Sequence, residues 1–225
     1  MRIKGFLYQL LGRIIQKMHS AYVHTVIKDC VSSFASFGQG SSLAYPFSIS
    51  GINHYEKFEN PNDAKNIYVG KGVKLGQYIA LFATRAKIII GDRTFTGPNV
   101  TIMTGDHPYD IKGKYMADNR KYEIKAAGGD ISKYDKDVII DEDVWIGCNV
   151  TILKGVHIGR GAIIAAGSIV TRSIPAYCIA GGNPAKVIKA RWSVNDIIEH
   201  EIHLYDEDKR LSLEYITECI KTANA

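Results

Sequence analysis

The sequence predicts a mainly β fold in which the chain winds as a coil of short parallel strands. Residues 140–175 divide into six consecutive six-residue repeats, and each repeat begins with Ile or Val. The fifth position of each repeat is also apolar or small, from Val144 to Ile174. A period of six fits neither an α-helix nor a single alternating strand. It is typical of parallel β-helices, in which the repeated aliphatic side chains stack into a continuous core.

A basic amphipathic helix is predicted over residues 1–30, ahead of the coil. Its apolar residues recur at helical spacing and are interrupted by Arg13 and Lys17, which argues against a secretory signal sequence. No apolar run in the sequence is long enough to cross a membrane. We expect the helix to pack on the β-domain or on a neighbouring subunit, with peripheral membrane association as the alternative.

The coil domain is predicted to occupy residues 31–190. The six-residue spacing appears first over residues 37–49 and returns over 69–102. Between them, a polar segment at 54–66 predicts a loop or hairpin that leaves the coil. Glycine follows several aliphatic positions and predicts corners where a side chain would clash or φ is unusual. These glycines are Gly70, Gly76, Gly91, Gly97, Gly147 and Gly159.

A second interruption, an excursion over residues 106–137, lacks the repeat. A loop of this length inside a regular domain is usually functional. Its tyrosine rings suit stacking on sugars, and packing onto a neighbouring subunit is the alternative. The tyrosines are Tyr109, Tyr115, Tyr122 and Tyr134.

The C-terminal region, residues 191–225, is predicted to form two helices that cover the open end of the coil. The Gly-Gly and Asn-Pro pairs at 181–184 end the coil before it. Ser193 or Asn195 can cap the first helix, and the second is expected over 212–222.

Composition and charge restrict the function. The net charge of +5 is mild for 225 residues, so it does not predict nucleic-acid binding, although it suits a phosphorylated ligand. The four cysteines lie far apart and form no CxxC pair. We therefore expect a reduced, cytoplasmic protein, with the inner face of the membrane as the alternative location.

Four segments resemble the hexapeptide-repeat acyltransferases: PNVTIMTGDHP at 98–108, VWIG at 144–147, AAGSIVTRSIP at 165–175 and AGGNPAKVIK at 180–189. They are most similar to the branch of galactoside, maltose and polysaccharide O-acetyltransferases. The resemblance implies a left-handed parallel β-helix and a homotrimer with active sites between subunits. It also implies transfer of an acetyl group from acetyl-CoA to a carbohydrate hydroxyl in surface-polysaccharide synthesis, with no metal required.

The resemblance further implies the catalytic residue. His107 matches the family's general base, which takes a proton from the acceptor hydroxyl, and the ordinary pKa of a histidine suits that task. The group that orients it is left open among Asp106, Asp110 and Glu123, which are near in sequence. Trp145 matches a tryptophan that lines the acceptor cleft in the family, with packing at a corner of the coil as the alternative.

The binding residues follow from the same resemblance. An Asn-rich acceptor segment of the family is replaced here by ALFATRA at 80–86, in which Thr84 and Arg85 are the polar candidates for the acceptor. Backbone groups at a corner are expected to meet the pantetheine arm of acetyl-CoA, and basic side chains its phosphates. The matching positions are Cys148, Ala166, Gly167, Thr171, Arg172, Lys186 and Lys189.

Other functions stay open at this point. An antibiotic acetyltransferase is the main alternative, because such enzymes also pair a β-helix with a loop near the histidine. An N-acetyltransferase acting on an amino sugar and a non-catalytic scaffold are further alternatives. A carbonic anhydrase of the γ type is disfavoured, since His54, His107 and His157 lack the close spacing of its zinc ligands.

Overall fold

The computed structural model describes residues 2–52, 64–83 and 85–223, with the backbone alone at 2–10, 122 and 126. The helices in these residues are α1 (Arg2–Ser32), α2 (Lys121–Ala126), α3 (Val194–Leu204) and α4 (Leu213–Ala223). The strands are β1 (Ser36–Phe37), β2 (Ser42–Leu43), β3 (Phe47–Ser50), β4 (Ile67–Val69), β5 (Lys74–Leu75), β6 (Ile79–Phe82), β7 (Ile88–Ile90), β8 (Phe95–Thr96), β9 (Thr101–Met103), β10 (Val138–Ile140), β11 (Trp145–Ile146), β12 (Thr151–Ile152), β13 (His157–Ile158), β14 (Ile163–Ile164), β15 (Ile169–Val170), β16 (Cys178–Gly182) and β17 (Ala185–Ala190).

The strands assemble into three sheets because the chain passes to the next sheet at each corner. Sheet 1 has the order β1-β4-β7-β10-β13, sheet 2 the order β17-β16-β14-β11-β8-β5-β2, and sheet 3 the order β15-β12-β9-β6-β3. Neighbouring turns of the coil pair in parallel, so that Ile140 has Ile90 on one side and Ile158 on the other. The predicted mainly β fold with parallel sheets is confirmed.

The core follows the axis of the coil and contains the residues that the six-residue period predicts. Full burial of one such aliphatic side chain contributes about 1.5–3 kcal/mol, so the stacked positions supply much of the driving force for folding. The first positions of the repeats over 140–175 are each no more than 1% exposed, and these are Ile140, Ile146, Ile152, Ile158, Ile164 and Val170.

Close approach of neighbouring turns explains the glycines at the corners. A Cβ atom at Gly91 would lie 2.5 Å from the backbone nitrogen of Glu142 in the next turn. At Gly147 the corresponding distance to the nitrogen of Ala166 would be 2.6 Å. The sequence predicts glycine at the corners for two reasons, a steric clash of a side chain or an unusual φ. At Gly91 and Gly147 the reason is the steric clash. Left-handed backbone occurs instead at turn residues such as Asn149, with φ of 55°.

Two segments leave the coil, as the lapses of the repeat predict. The first returns through an antiparallel bridge between Ile52 and Lys65, and most of the predicted loop or hairpin at 54–66 lies outside the described residues. The second is the excursion at 106–137. It is folded, since it contains α2 and two short 3-10 segments, Met116–Asp118 and Ser132–Tyr134.

A hairpin extends sheet 2 beyond the last full turn. Strand β16 pairs in parallel with β14, and β17 then pairs antiparallel with β16. Of the Gly-Gly-Asn-Pro segment, the two glycines end β16, and Asn183 and Pro184 form the turn between the two strands. The six-residue period does not foresee β17, because the reversal of chain direction removes the repeat.

The two C-terminal helices pack against the last turn of the coil. Of the two candidate caps, Ser193 is the one used: its Oγ accepts a hydrogen bond from the backbone of Asp196 at 3.2 Å, within a capping box. Side chains from both helices form one apolar cluster with Ala176 and Tyr177 of the coil. Tyr177 is buried and donates a hydrogen bond of 2.5 Å to Glu201 in α3.

Helix α1 packs on the coil near its C-terminal end. Ile27, Cys30 and Val31 pack on the core, and burial raises the pKa of the Cys30 thiol to about 11. Upstream the helix is mostly exposed, with Met18 at 68%. The helix thus packs on the β-domain through its last turns, and contact of its upstream part with a neighbouring subunit stays a prediction. None of the helices that the structure describes is long and apolar enough to span a membrane.

Candidate active site

A cavity of about 580 Å³ opens where the excursion leaves the coil. The coil contributes Phe82 from β6 and Met103 from β9, and the excursion supplies the opposite wall. Two of the predicted site residues, His107 and Arg85, line this cavity. The structure therefore brings the proposed base and one proposed acceptor residue together.

A short neck fixes the position of His107. The backbone N–H of Asp106 donates to the carbonyl of Tyr134 at 2.8 Å, and that of Lys136 donates to the carbonyl of Thr104 at 2.9 Å. These two bonds hold the outgoing and returning chains together just beyond the C-terminal end of β9 in sheet 3. His107 is the first residue beyond the neck, and its side chain is exposed on the cavity.

None of the three acids considered as orienting partners bonds to His107 in the described part of the chain. Each carboxylate is instead paired with an ammonium group. The pairs are Asp106–Lys154 at 2.7 Å, Asp110–Lys133 at 2.5 Å and Glu123–Lys114 at 3.9 Å between nitrogen and oxygen. The ring nitrogens of His107 are thus available to an acceptor or to a neighbouring subunit.

Asp135 is the buried electrostatic centre beneath the cavity. Its carboxylate, 7% exposed, receives Nζ of Lys121 at 2.6 Å and Nε of Arg85 at 3.7 Å. The Arg85 side chain is itself 6% exposed, so it lies behind the surface of the cavity. Arg85 therefore contributes to the packing behind the cavity wall and adds positive charge to it. Thr84, the other predicted acceptor residue, lies outside the described residues.

Trp145 lies on a different sheet from the cavity. It is 46% exposed on the outer face of β11 in sheet 2 and stacks on Phe95, with ring centroids 5.8 Å apart and planes at 15°. Neither ring is among the described residues that line the cavity. A single chain therefore does not bring Trp145 to His107.

Three of the predicted acetyl-CoA residues adjoin at one corner between sheets 2 and 3. The backbone N–H of Gly167 donates to the carbonyl of Cys148 at 2.9 Å. Gly167 has φ of 74°, and a Cβ there would meet no atom within 4 Å. The exposed backbone at Ala166 and Gly167 is thus open to an extended ligand.

The basic residues predicted for acetyl-CoA lie near this end of the coil. Lys186 and Lys189 are in β17, opposite Gly181 and Ile179 of β16. Arg172 follows β15, beside Thr171, at the next corner. These three cations are exposed and form no ion pair within the residues that the structure describes. Exposed cations beside open backbone fit a ligand with phosphate groups on an extended arm.

Sequence reasoning missed the excursion residues that line the cavity, Asn119, Arg120 and Lys121. Asn119 is 4% exposed, and its Nδ2 donates to the carbonyl of Pro108 at 3.1 Å. No repeat or motif marks these positions, and three consecutive polar residues are a weak signal. The proposal that Tyr134 stacks on sugars is wrong, because its ring is 2% exposed and its hydroxyl donates to Asp110.

No metal-binding cluster of three or more His, Cys, Asp or Glu residues is found in ranges 2–52, 64–83 and 85–223. Of the histidines weighed for zinc, His54 lies outside those ranges, and Nε2 of His157 is 2.9 Å from Asp141.

Comparison with known proteins decides the family. Residues 137–172 match the model of the bacterial transferase hexapeptide repeat. A galactoside O-acetyltransferase of Lactococcus lactis is 32% identical over 181 residues, which cover 80% of this chain and 72% of the relative. The chain belongs to the hexapeptide-repeat acetyltransferases. The predicted likeness to the galactoside and maltose branch of these acetyltransferases is thereby confirmed.

Other members of the family agree. A solved maltose O-acetyltransferase of Clostridium difficile is 30% identical, with a TM-score of 0.54, and the match covers 76% of this chain and 75% of that one. A Saccharomyces cerevisiae protein named as a candidate acetyltransferase is 38% identical over 55% of this chain. The chain thus spans about half, 56%, of the length of the Saccharomyces cerevisiae relative.

Proposed function

We propose that this acetyltransferase moves an acetyl group from acetyl-CoA to a hydroxyl of a carbohydrate, in the synthesis of a surface polysaccharide. The observation that carries the proposal is the exposure of His107 on the cavity between the coil and the excursion. The names of the galactoside and maltose O-acetyltransferases support a sugar acceptor. The open corner and the cations at Arg172, Lys186 and Lys189 support acetyl-CoA as the donor.

His107 acts in this proposal as the general base. Acetyl-CoA supplies an acyl group already activated as a thioester, so no acyl-enzyme is needed. The acceptor proton moves to a nitrogen of His107 while the acceptor oxygen forms its bond to the acetyl carbon. The carbon–sulfur bond then breaks, and the imidazolium returns the proton to the departing sulfur. Backbone N–H groups stabilise the negative charge on the carbonyl oxygen.

A homotrimer of left-handed coils completes the site in this proposal. Trp145 and Cys148 lie on sheet 2 and its corner, whereas His107 follows β9 of sheet 3. Their separation within one chain supports an active site in which one subunit offers Trp145 and acetyl-CoA to the cavity of the next. Sedimentation as a monomer at assay concentration would contradict this arrangement. Helices α3 and α4 are proposed to cover the end of the coil.

The proposed location is the cytoplasm, and peripheral contact of α1 with the inner face of the membrane is the alternative to its packing on a neighbouring subunit. Residues 1–28 contain five Lys and Arg residues and no Asp or Glu. Leu11 and Ile15 expose apolar side chains on the same helix. A basic helix with exposed apolar residues suits an anionic lipid surface. Failure to co-sediment with anionic vesicles would remove this assignment.

The decisive experiment measures thiol release from acetyl-CoA with galactosides, maltose, oligosaccharides, chloramphenicol and a streptogramin as acceptors. The enzymes are the wild type, His107→Ala and, as a matched control, His157→Ala. Transfer to a sugar should fall by about 10²–10⁴-fold in His107→Ala, the usual effect of losing a general base. Transfer by His157→Ala should stay near the wild-type rate.

The other outcomes separate the alternatives. Transfer to an antibiotic alone would favour the antibiotic acetyltransferase. Binding of no acetyl-CoA and release of no thiol would favour a scaffold. Sugar transfer that survives in His107→Ala would contradict the mechanism while leaving the activity in place.

A further inference from the structure

Two cavities meet at Asn119 and Arg120. The first is the cavity of about 580 Å³ that contains His107. The second, of about 250 Å³, lies within the excursion, and Ile111 and Ile124 are on its walls. Asn119 and Arg120 line both cavities. Arg120 is therefore within reach of an acceptor in the first cavity.

The surroundings of the first cavity carry more positive than negative charge. Asp135 pairs with two cations, Lys121 at 2.6 Å and Arg85 at 3.7 Å. Asp106 on the wall pairs with a third cation, Lys154. The fourth cation, Arg120, is exposed and has no ion pair within the residues that the structure describes. The lining itself thus contains one carboxylate, Asp106, and three cations, Arg85, Arg120 and Lys121. Of these cations, Arg120 is the one that forms no ion pair in the described residues.

Asn119 adds a buried acceptor atom at the same place. Its Oδ1 is buried and has no hydrogen-bond partner among the described residues. Its Nδ2 is fixed to the carbonyl of Pro108, the residue next to His107. A buried carbonyl oxygen without a donor is costly, so a ligand that supplies a hydroxyl would relieve it.

We infer that the acceptor is an acidic carbohydrate, whose carboxylate or phosphate is bound by Arg120. The inference rests on the proposed function, because it names the acceptor class of that site. The guanidinium plane presents paired N–H donors that match a carboxylate or a phosphate. In the same pose, sugar hydroxyls reach Asn119 and His107, and the sugar ring lies near Phe82 and Met103. A neutral sugar has no anionic group that could pair with the guanidinium of Arg120.

The test compares matched pairs of acceptors, methyl glucoside with methyl glucuronide and methyl galactoside with methyl galacturonide. Glucose 1-phosphate forms a separate arm, so that a carboxylate and a phosphate are distinguished. The enzymes are the wild type, Arg120→Gln, Arg120→Lys and Lys112→Gln. The last is the control, because Lys112 is an exposed cation of the excursion that does not line either cavity.

We expect the wild type to prefer an acidic acceptor over its neutral partner in kcat/KM. Arg120→Gln should raise KM for the acidic acceptor by about 10- to 100-fold, the range for a lost bond to a charged group, and should affect the neutral acceptor far less. Arg120→Lys should recover part of the loss, and Lys112→Gln should match the wild type.

The contrary results are distinct. Transfer to neutral sugars with no preference for acidic ones, or with equal losses on both in Arg120→Gln, would overturn the inference and leave the proposed function standing. Transfer to no sugar of either kind, with acetyl-CoA bound, would overturn both. Equal losses in Arg120→Gln and Lys112→Gln would assign the effect to overall charge and overturn the role of Arg120.

Discussion

The coil and the excursion are held together in different ways. In the coil, Ile140 lies between Ile90 and Ile158, and the same apolar contact recurs in every neighbouring turn. In the excursion, Asp135 is held by Lys121 and Arg85 in an arrangement that has no repeat along the chain. The coil thus spreads its stability over many similar contacts, whereas the excursion combines one buried ion-pair cluster with a few buried side chains such as Ile131 and Tyr134. The catalytic candidate lies at the junction of the two.

The largest effect is expected at Asp135. Asp135→Asn keeps the size of the side chain but leaves Lys121 and Arg85 without their buried counter-charge. Loss of one partner from a buried ion pair costs about 3–5 kcal/mol. We expect this cost to fall on the excursion, where amide hydrogen exchange over 106–137 should rise strongly while exchange in the coil stays unchanged.

Asp118→Asn is the control for this prediction, because Asp118 is exposed in the excursion and forms no ion pair in the described residues. Its hydrogen exchange should match the wild type. If Asp135→Asn instead accelerated exchange equally throughout the coil, the two regions would unfold as one unit and the contrast between them would fail.

The next effect tests the coil itself through two adjacent residues of β10. Ile140 is 1% exposed in the core, whereas Ile139 is half-buried on the outer face. Ile140→Ala should lower the free energy of unfolding by about 2–5 kcal/mol, because it leaves a cavity. Ile139→Ala should cost about 1 kcal/mol or less. Denaturant unfolding measures both, and equal losses would contradict the inward and outward assignment.

The same contrast explains what the sequence could predict. The period of six identifies Ile140 and its counterparts as core residues, since each position is supported by those of the other turns. Asn119 and Arg120 belong to no repeat, so no equivalent position elsewhere in the chain predicts their place. They reach the cavity through contacts with residues that are far away in the sequence. The prediction that His107 is the general base depends on a motif of the family. The separation of His107 from Trp145 became visible only once strands were assigned to sheets.

The smallest effect concerns a polar contact on the outer surface of the coil, between His157 of β13 and Asp141 of the preceding turn. Nε2 of His157 lies 2.9 Å from Oδ1 of Asp141, and the side chains are 49% and 37% exposed. The hydrogen bond to Asp141 raises the pKa of His157, against a smaller opposing effect of burial. Exposed pairs of this kind contribute about 0.2–1 kcal/mol.

The direction of the pH dependence follows from that raised pKa. Protonated His157 is favoured in the folded state, so the stabilisation is complete below the ordinary pKa of 6.5 and is lost as pH rises through the folded value. The difference in unfolding free energy between wild type and His157→Asn should therefore be largest below pH 6.5 and should decrease as pH rises through the folded pKa of His157. Asp141→Asn should abolish the dependence, and added salt should weaken it. If the difference in unfolding free energy persists at high pH or reaches several kcal/mol, the coil also relies on individual polar contacts. The coil and the excursion would then differ only in how much of their stability comes from such contacts.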